Sequence, residues 1–327
     1  MRAVTFDKTG DSSVLQVRDD VAKPTPKPSE VLVKVEWAGV NFYDTYVRTG
    51  LYKFPLPFTT GAEGAGTIES VGADAAREYP NLSVGDRVAF MAPGSAAEYA
   101  TAPAAKVARL PEGVSTRDGA ALLLQGLTAW TLVRDAHEVK AGEIVLVQAA
   151  AGGTGGLVVQ MAKHLGATVI GTVSTDDKAE LARAHGCDHV VVYTRDDVLA
   201  AVDEVTRGQG CHAVFSGVGA ATFDADLAAT RRRGSLVSFG NASGAVVGVD
   251  ILRLTPKNVR LLRPSVRGYV ATRDEWEGRC AELFDLLARG AVKVHVGGTY
   301  ALDTLARAHD DLTGKKTVGK LVVKVAE

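Results

Sequence analysis

The sequence predicts an α/β fold in which a doubly wound parallel sheet is inserted into a mostly-β domain. Three observations support this class. Apolar runs of strand length alternate with helical patterns between residues 143 and 240, as they do in βαβ units. The region before about residue 120 instead contains short strand-like runs broken by glycine and proline. A strand–helix–strand pattern then returns after residue 290.

In the N-terminal region, strands are predicted where runs rich in branched apolar residues end at glycine or at polar residues. These runs are VLVKVEWAGV (31–40), AGTIESVG (65–72) and GDRVAFM (85–91). Such short, irregularly spaced strands are typical of an antiparallel sheet domain and contain no regular helical period.

The central region alternates between the two kinds of element. Predicted strands cover 143–150, 167–173, 189–193, 212–218 and 235–240. Predicted helices cover 155–166, 176–186, 195–207 and 223–233. Because crossovers between parallel strands are right-handed, this alternation predicts a doubly wound sheet of the Rossmann type.

The chain is then expected to return to its first domain. Residues 259–266 are expected to leave the parallel sheet, and a long amphipathic helix follows at 272–290. The predicted domains are a discontinuous one over 1–125 and 262–327, and an inserted dinucleotide-binding domain over 126–261.

Composition and charge exclude several classes of protein. The formal net charge is −1, from 37 basic and 38 acidic residues, so no global field favours nucleic acid or an anionic membrane as the main partner. The three cysteines have no regular spacing, which argues against a disulfide scaffold and favours a reducing compartment. No apolar run has the length of a membrane span, and a cytoplasmic protein is expected.

The strongest single motif is VLVQAAAGGTGG, residues 145–156. It follows a predicted strand and opens a predicted helix, which is the context that a dinucleotide-binding turn requires. Gly152 and Gly153 are expected to let the backbone approach a pyrophosphate, together with Thr154, and Gly155 to let the helix pack closely on the strand. The free amides at the start of the helix then stabilise the anion.

The residues after the second strand of the parallel sheet indicate which dinucleotide binds. An NAD site commonly has an acidic residue there for the ribose hydroxyls, but this strand ends GTVST (171–175). The hydroxyl of Ser174, the amine of Lys178 and the phenol of Tyr193 can bind a 2′-phosphate, which favours NADPH. Two alternatives stay open: Ser174 and its neighbour Thr175 suit helix capping, and the acids of the following helical turn, Asp176 and Asp177, could repel a phosphate.

These segments together resemble the medium-chain dehydrogenase/reductase superfamily, and most closely its zinc-free quinone oxidoreductase branch, the zeta-crystallin relatives. The resemblance covers nearly the whole chain. It is carried by residues 38–52, 61–72, 122–130, 149–156, 237–244 and 263–269. It implies that the first domain is a GroES-like catalytic domain, and that the protein forms a homodimer through edge pairing of the Rossmann sheets.

A catalytic zinc is not expected. The zinc branch of the superfamily has a cysteine where this chain has Asn41 or its neighbours, and a histidine where it has Ala62. Glu63 remains, but a catalytic zinc needs three protein ligands. Without a Lewis acid an unactivated ketone is a poor substrate, whereas a quinone or a conjugated enone needs far less activation.

The resemblance also implies roles for individual residues, none of them a general acid or base. For two of these residues a structural role is the alternative: ordinary loop packing for Tyr52 and helix capping for Asp44. Ser216 departs from the family, which commonly has aspartate there. The implied acceptor pocket comprises Asn41, Tyr46, Tyr52 and Arg263. The implied cofactor contacts are Asn41, Phe42, Asp44 and Tyr46 beside the nicotinamide, Thr128 at its carboxamide, Phe239, Gly240 and Asn241 after the fifth strand, Ser265 and Val266 beside the nicotinamide, and Lys320 at the phosphates.

The predicted function is an NADPH-dependent quinone reductase that transfers hydride without a metal. An NADPH-dependent alkenal or enone reductase is the nearest alternative. An RNA-binding or structural role, for which relatives of this branch have been recruited, is the alternative from another class; the near-zero charge and the intact phosphate turn argue against it.

Overall fold

A computed structural model describes residues 1–326 of the chain. The strands are β1 (Ala3–Phe6), β2 (Gln16–Arg18), β3 (Glu30–Val40), β4 (Phe58–Thr59), β5 (Glu63–Val71), β6 (Arg87–Phe90), β7 (Tyr99–Pro103), β8 (Val107–Arg109), β9 (Ile144–Val147), β10 (Thr168–Val173), β11 (His189–Val192), β12 (Cys211–Ser216), β13 (Thr230–Ser238), β14 (Arg260–Leu262), β15 (Val296–Ala301) and β16 (Lys320–Lys324).

The helices connect these strands. They are α1 (Phe42–Arg48), α2 (Ala73–Glu78), α3 (Thr116–Thr131), α4 (Gly153–His164), α5 (Asp176–Ala184), α6 (Val198–Thr206), α7 (Phe223–Ala229), α8 (Val266–Tyr269), α9 (Arg273–Ala288) and α10 (Leu305–Thr313). None of the helices among residues 1–326 combines the length and the apolar character that crossing a membrane requires.

The chain divides into two compact units. Within the described residues, unit one comprises 1–124, 272–284 and 294–326, and unit two comprises 125–271 and 285–293. Unit two therefore takes 262–271 and 285–293, which the sequence assigns to the first domain. The predicted domain boundaries, 125/126 and 261/262, stay a prediction.

Unit one is built on a mixed sheet of seven strands, in the order β15-β16-β3-β5-β6-β8, with β7 also paired to β3. The long strand β3 is central because both its edges are paired: Val322 of β16 lies opposite Gly39, and Ile68 of β5 lies opposite Val33. Val33, Ile68 and Phe90 are fully buried in its apolar core. The C-terminal strand is thus part of the same sheet as the N-terminal region.

Unit two contains a parallel sheet of six strands in the order β11-β10-β9-β12-β13-β14. Val145, Leu146 and Val147 of β9 and Val169 and Ile170 of β10 have no exposed surface. Such uninterrupted apolar strands are typical of a parallel sheet that is covered on both faces. The predicted fold class, a mostly-β GroES-like domain with a Rossmann domain, is confirmed.

Two predicted elements were wrong in detail. The helix predicted over 223–233 ends at Ala229, because residues from Thr230 onward form β13, where Thr230 pairs with Cys211. Residues 260–262 do not leave the parallel sheet but add its sixth strand, since Leu261 pairs with Leu236. A three-residue strand is too short to show a period, and sequence patterns could not detect it.

Candidate functional site

The phosphate turn lies between β9 and α4 in unit two. Gly152 precedes the helix with extended φ and ψ of −79° and 168°, and its carbonyl accepts from Gly156 N at 2.7 Å. Gly153, Thr154 and Gly155 form the first turn, whose N–H groups have no acceptor within a helix. Such amides and the positive end of a helix dipole suit an anion, and the predicted pyrophosphate contact of this turn stays a prediction.

The glycines of this turn have different reasons to be glycine. A Cβ on Gly155 would lie 2.2 Å from the carbonyl oxygen of Ala149, so close packing of helix on strand excludes any side chain. A Cβ on Gly153 would lie 2.0 Å from Gln125 Oε1, so that space is already filled by a side chain of α3. A Cβ on Gly152 would meet only the Ala149 oxygen, at 3.2 Å. Of the last two positions, Gly152 is the one with more open space where a side chain would lie, and the predicted pyrophosphate contacts of both glycines stay predictions.

A buried polar network lies behind the turn. Gln148 Nε2 donates to Asp226 Oδ1 at 2.7 Å, and the hydroxyl of Thr172 donates to Gln148 Oε1. Thr222 donates to Asp226 Oδ2 at 2.7 Å, and Ser216 Oγ lies 3.3 Å from the Thr222 hydroxyl. Burial raises the pKa of Asp226, against the opposing effect of these hydrogen bonds. Ser216, at the position where the resemblance implies an aspartate, thus contacts a network that has its own buried carboxyl group.

The three residues predicted to bind a 2′-phosphate come together at the carboxyl ends of β10 and β11. Lys178 Nζ donates to Ser174 Oγ at 3.2 Å. Tyr193 N donates to the carbonyl of Val173 at 3.0 Å, and its side chain is 44% exposed. Of the two proposed caps, Thr175 is the one that accepts from the Lys178 amide, at 3.4 Å. Ser174 is therefore not the cap of α5, which leaves its hydroxyl beside the lysine amine.

Sequence reasoning missed an arginine at the same place. Arg195 Nη1 donates to both carboxylate oxygens of Asp176 at 2.8 Å. Arg195 comes two residues after Tyr193, at the end of a strand next to β10. Because the ends of parallel neighbours meet at one edge, that position was a signal that could have found it.

The residues after β13 are held by tight backbone packing and by an arginine. A Cβ on Gly240 would lie 2.3 Å from the Gly217 oxygen. Arg263 Nη1 donates to the Ser238 carbonyl at 2.9 Å, and with the Asn241 amide turned to satisfy both groups its oxygen accepts from Arg263 Nη2 at 2.9 Å. Arg263 thus holds this segment, and its predicted part in an acceptor pocket stays a prediction.

Four further residues of unit two that are predicted to contact the cofactor are placed as follows. Thr128 lies in α3, where its carbonyl accepts from the Thr131 hydroxyl at 3.0 Å. Phe239 follows β13 and its amide donates to the Ser216 carbonyl at 2.8 Å. Ser265 is the residue before α8, and Val266 is the first residue of that short helix. Their predicted cofactor contacts stay predictions.

In unit one, Asn41, Glu63 and Lys320 form a buried polar cluster. Asn41 Nδ2 donates to Glu63 Oε1 at 2.8 Å, and Lys320 Nζ donates to Asn41 Oδ1 at 2.8 Å and also to Glu63 Oε1. The backbone amide of Leu124 donates to Glu63 Oε2 at 2.7 Å. Glu63 and Lys320 are 0% and 1% exposed. The amine of Lys320 is thus bonded inside unit one, which does not favour its predicted contact with the cofactor phosphates.

Asp44 lies beside this cluster at the start of α1. Its Oδ2 accepts from the Asn41 amide at 2.8 Å, so the capping alternative is realised in the structure. Burial raises the pKa of Asp44 to about 7, against the opposing effects of that hydrogen bond and of Lys320 and with a smaller contribution from Glu63 in the same direction.

The predicted aromatic residues of the acceptor pocket are in contact with one another. The ring of Tyr46 lies 6.2 Å from that of Phe42 and 5.5 Å, edge-on, from that of Tyr52. Tyr43, which the sequence did not single out, lies 5.6 Å from Tyr52. Tyr52 therefore packs against other rings, in agreement with the loop-packing alternative. The group comprises the rings of Phe42, Tyr43, Tyr46 and Tyr52.

Side chains suited to a metal are dispersed. Within residues 1–326, no three histidine, cysteine or acidic residues are grouped so that they could hold a metal ion. Ala62 is buried, next to Glu63. Burial raises the pKa of the thiols of Cys187, Cys211 and Cys280 to about 12, so these groups stay protonated.

We expect the raised pKa of Asp44 to make stability depend on pH. Because the folded state holds this proton more tightly than the unfolded state, stability should fall as pH rises through the interval from 3.8 to about 7. Asp44→Asn keeps an oxygen that can accept from Asn41 and has no proton to lose. Urea unfolding of both proteins should therefore show a difference that grows toward neutral pH and then levels off. A constant difference across this interval would contradict the titration.

Comparison with known proteins places these features in a family. The family model described as the alcohol dehydrogenase GroES-like domain matches residues 27–112, and the one described as zinc-binding dehydrogenase matches residues 153–289. A quinone oxidoreductase of Pseudomonas aeruginosa is 39% identical over 98% of this chain and 99% of its own. A 2-haloacrylate reductase of a Burkholderia species is 35% identical over 99% of this chain and 98% of its own.

A solved structure agrees with these relatives. The crystal structure of the Escherichia coli quinone oxidoreductase, complexed with NADPH, has a TM-score of 0.95 and 38% identity, and the match covers 99% of this chain and 100% of that one. A Rossmann sheet with its phosphate turn and a GroES-like unit together define a medium-chain dehydrogenase/reductase. The chain belongs to that superfamily and, within it, to the zinc-free quinone oxidoreductase branch.

Proposed function

We propose that this protein is an NADPH-dependent quinone reductase that needs no metal. The observation that carries the proposal is the joint presence, in unit two, of the phosphate turn and of the Ser174, Lys178 and Tyr193 group. Their donors suit a pyrophosphate and a 2′-phosphate respectively. The relatives named quinone oxidoreductase, one of them solved with NADPH, support the same assignment.

NADPH, when bound, supplies the hydride. The amides of Gly153, Thr154 and Gly155 would hold its pyrophosphate at the start of α4. Lys178 and Ser174 would donate to its 2′-phosphate, and the charge-assisted bond from the lysine would be the stronger one. The segment 239–241 would lie beside the cofactor, and the hydrogen bonds from Arg263 would hold its backbone in place.

Unit one would provide the surroundings of the reacting atoms. In the proposal Asn41, Phe42, Asp44 and Tyr46 border the nicotinamide, and Tyr46 and Tyr52 shape the acceptor pocket with flat aromatic faces that suit a quinone ring. Lys320 would act by fixing the Asn41 amide through the buried cluster, and not by contact with phosphate.

The direct test follows NADPH oxidation with ortho-quinones, para-quinones and enals as acceptors. The proposal expects quinones to be reduced with the highest kcat/KM. Preference for enals would favour the alternative, an alkenal or enone reductase, for which the 2-haloacrylate reductase relative is the supporting observation. Inactivity with every acceptor, together with salt-sensitive RNA binding, would favour the nucleic-acid role instead.

Chelation is expected to leave the activity intact. Ala62 stands where the zinc branch has a ligand, and Glu63 is already bonded to Lys320 and Asn41. Exhaustive dialysis against a strong chelator should therefore change the quinone reductase rate by less than the error of the assay. Stoichiometric zinc in the purified protein, with activity lost on its removal and restored on its return, would contradict this.

Lys178→Ala is expected to weaken NADPH binding selectively. A hydrogen bond to a charged group contributes roughly 1.5–3 kcal/mol, which corresponds to about a tenfold to a hundredfold loss of affinity. Lys178 is half-buried, so we expect the lower end of this range. NADH has no 2′-phosphate and serves as the internal control, titrated by calorimetry at the same ionic strength. Equal losses for both cofactors, or a wild type that prefers NADH, would refute the assignment.

We propose a cytoplasmic homodimer as the working form. The edge strand β14 ends the parallel sheet, and three strongly exposed apolar residues come before it in the chain: Val247, Ile251 and Leu252, at 83%, 74% and 71% exposure. A second copy would cover such residues and would extend the sheet by edge pairing. Sedimentation equilibrium measures the mass in solution, and a monomer at micromolar concentration would contradict the proposal.

A further inference from the structure

The proposed function assigns no role to the ion pair between Arg195 and Asp176. Arg195 Nη1 lies 2.8 Å from each carboxylate oxygen, and the two side chains are 56% and 72% exposed. Exposed pairs of this kind contribute little to the free energy of unfolding. Stabilisation of unit two therefore does not explain why the two side chains are paired.

Its position gives a better reason. Backbone and side-chain bonds join the ends of β10 and β11 beside the pair: Tyr193 N donates to the Val173 carbonyl, and the Thr194 hydroxyl donates to the Ser174 carbonyl, both at 3.0 Å. Asp176 is two residues from Ser174 and from Lys178, and Arg195 is two residues from Tyr193. The pair thus lies at the edge of the proposed 2′-phosphate site.

A carboxylate at this strand end has a predictable effect on cofactor choice. It can accept from ribose hydroxyls, as acidic residues do in NAD sites, and it repels a 2′-phosphate. We infer that Arg195 is a specificity-determining residue, which favours a 2′-phosphorylated dinucleotide by cancelling the charge of Asp176 and by withdrawing its oxygens from the ribose. The inference rests on the proposed function, since it concerns the selectivity of that same site.

The test is a double-mutant cycle on binding, with NADPH and NADH titrated into the full-length protein at low and high salt. Arg195→Ala should lower the affinity for NADPH roughly threefold to tenfold at low salt, because the Asp176 carboxylate, no longer paired, repels the nearby phosphate. The affinity for NADH should stay unchanged or increase. Removing that carboxylate as well, in Arg195→Ala/Asp176→Asn, should restore most of the NADPH affinity. The loss should shrink at about 1 M salt, where the screening length is about 3 Å.

Arg183→Ala is the matched control. Arg183 is an exposed arginine in the last turn of α5, the helix that begins with Asp176, and lies about 10 Å along the helix axis from that residue. Its replacement also removes one positive charge and should leave the affinities for NADPH and NADH unchanged. An Arg195→Ala protein with wild-type NADPH affinity would overturn the inference, and so would a loss that Asp176→Asn does not repair. Failure of the proposed function is seen separately: the wild type itself would then bind NADPH no better than NADH.

Discussion

Gly152→Val is expected to remove most NADPH binding while the protein stays folded. The backbone of Gly152 has a φ of −79° and a ψ of 168°, an extended conformation that valine adopts readily. Its Cβ would meet only the Ala149 oxygen, at 3.2 Å, which a shift of a few tenths of an ångström relieves. The branched side chain would then occupy the space in front of the α4 amides. Loss of one or two charge-assisted bonds corresponds to at least about a tenfold to a hundredfold loss of affinity.

Gly155→Ala is the matched control for this prediction. Its added methyl group would lie 2.2 Å from the Ala149 oxygen, a distance that no real Cβ contact shows. The helix would have to move away from the strand, and the melting temperature should fall sharply. Gly152→Val should instead melt within a few degrees of the wild type. Unchanged NADPH affinity in calorimetry, with the fold intact, would show that the turn has another purpose. Gly153→Val is a poorer test, because Gln125 fills the space beside that residue.

Lys320→Met is expected to be the most destabilising single change. Removing one partner of a buried ion pair leaves the other charge unpaired and costs about 3–5 kcal/mol in the free energy of unfolding. Glu63 has no exposed surface through which water could replace the amine. Asn41 would lose the donor to its Oδ1 in the same change.

The double variant Lys320→Met/Glu63→Gln separates the charge effect from packing. It has no buried charge in this cluster, so it should lose clearly less stability than Lys320→Met alone. Urea unfolding of the wild type, both single variants and the double variant gives the coupling energy. Additive losses would show that the two side chains do not depend on each other. NADPH affinity that is retained in folded Lys320→Met would also exclude a direct contact between this lysine and the cofactor phosphates.

Structural features that depend on residues close together in the sequence could be predicted. Features formed by contacts between residues far apart in the sequence could not. The alternation of apolar strands and helices between residues 143 and 240 was sufficient for the parallel sheet, and the glycines after β9 were sufficient for the phosphate turn. The Lys320–Glu63 pair joins residues 257 positions apart, and no sequence pattern links the two. Arg195 looks like any charged residue of a loop until the ends of β10 and β11 are seen side by side.

The two units become complete at different stages of synthesis. Unit two is nearly continuous, and its six strands have all been made by residue 262. Unit one lacks β16 until residues 320–324 have been made, and until then Glu63 has no lysine and the β3 edge at Gly39 has no partner strand. Since domains generally fold as units during synthesis, the N-terminal segment must wait for β16 while the inserted unit can already fold. A nascent chain stalled before Lys320 should therefore protect unit two from protease while unit one is still cut.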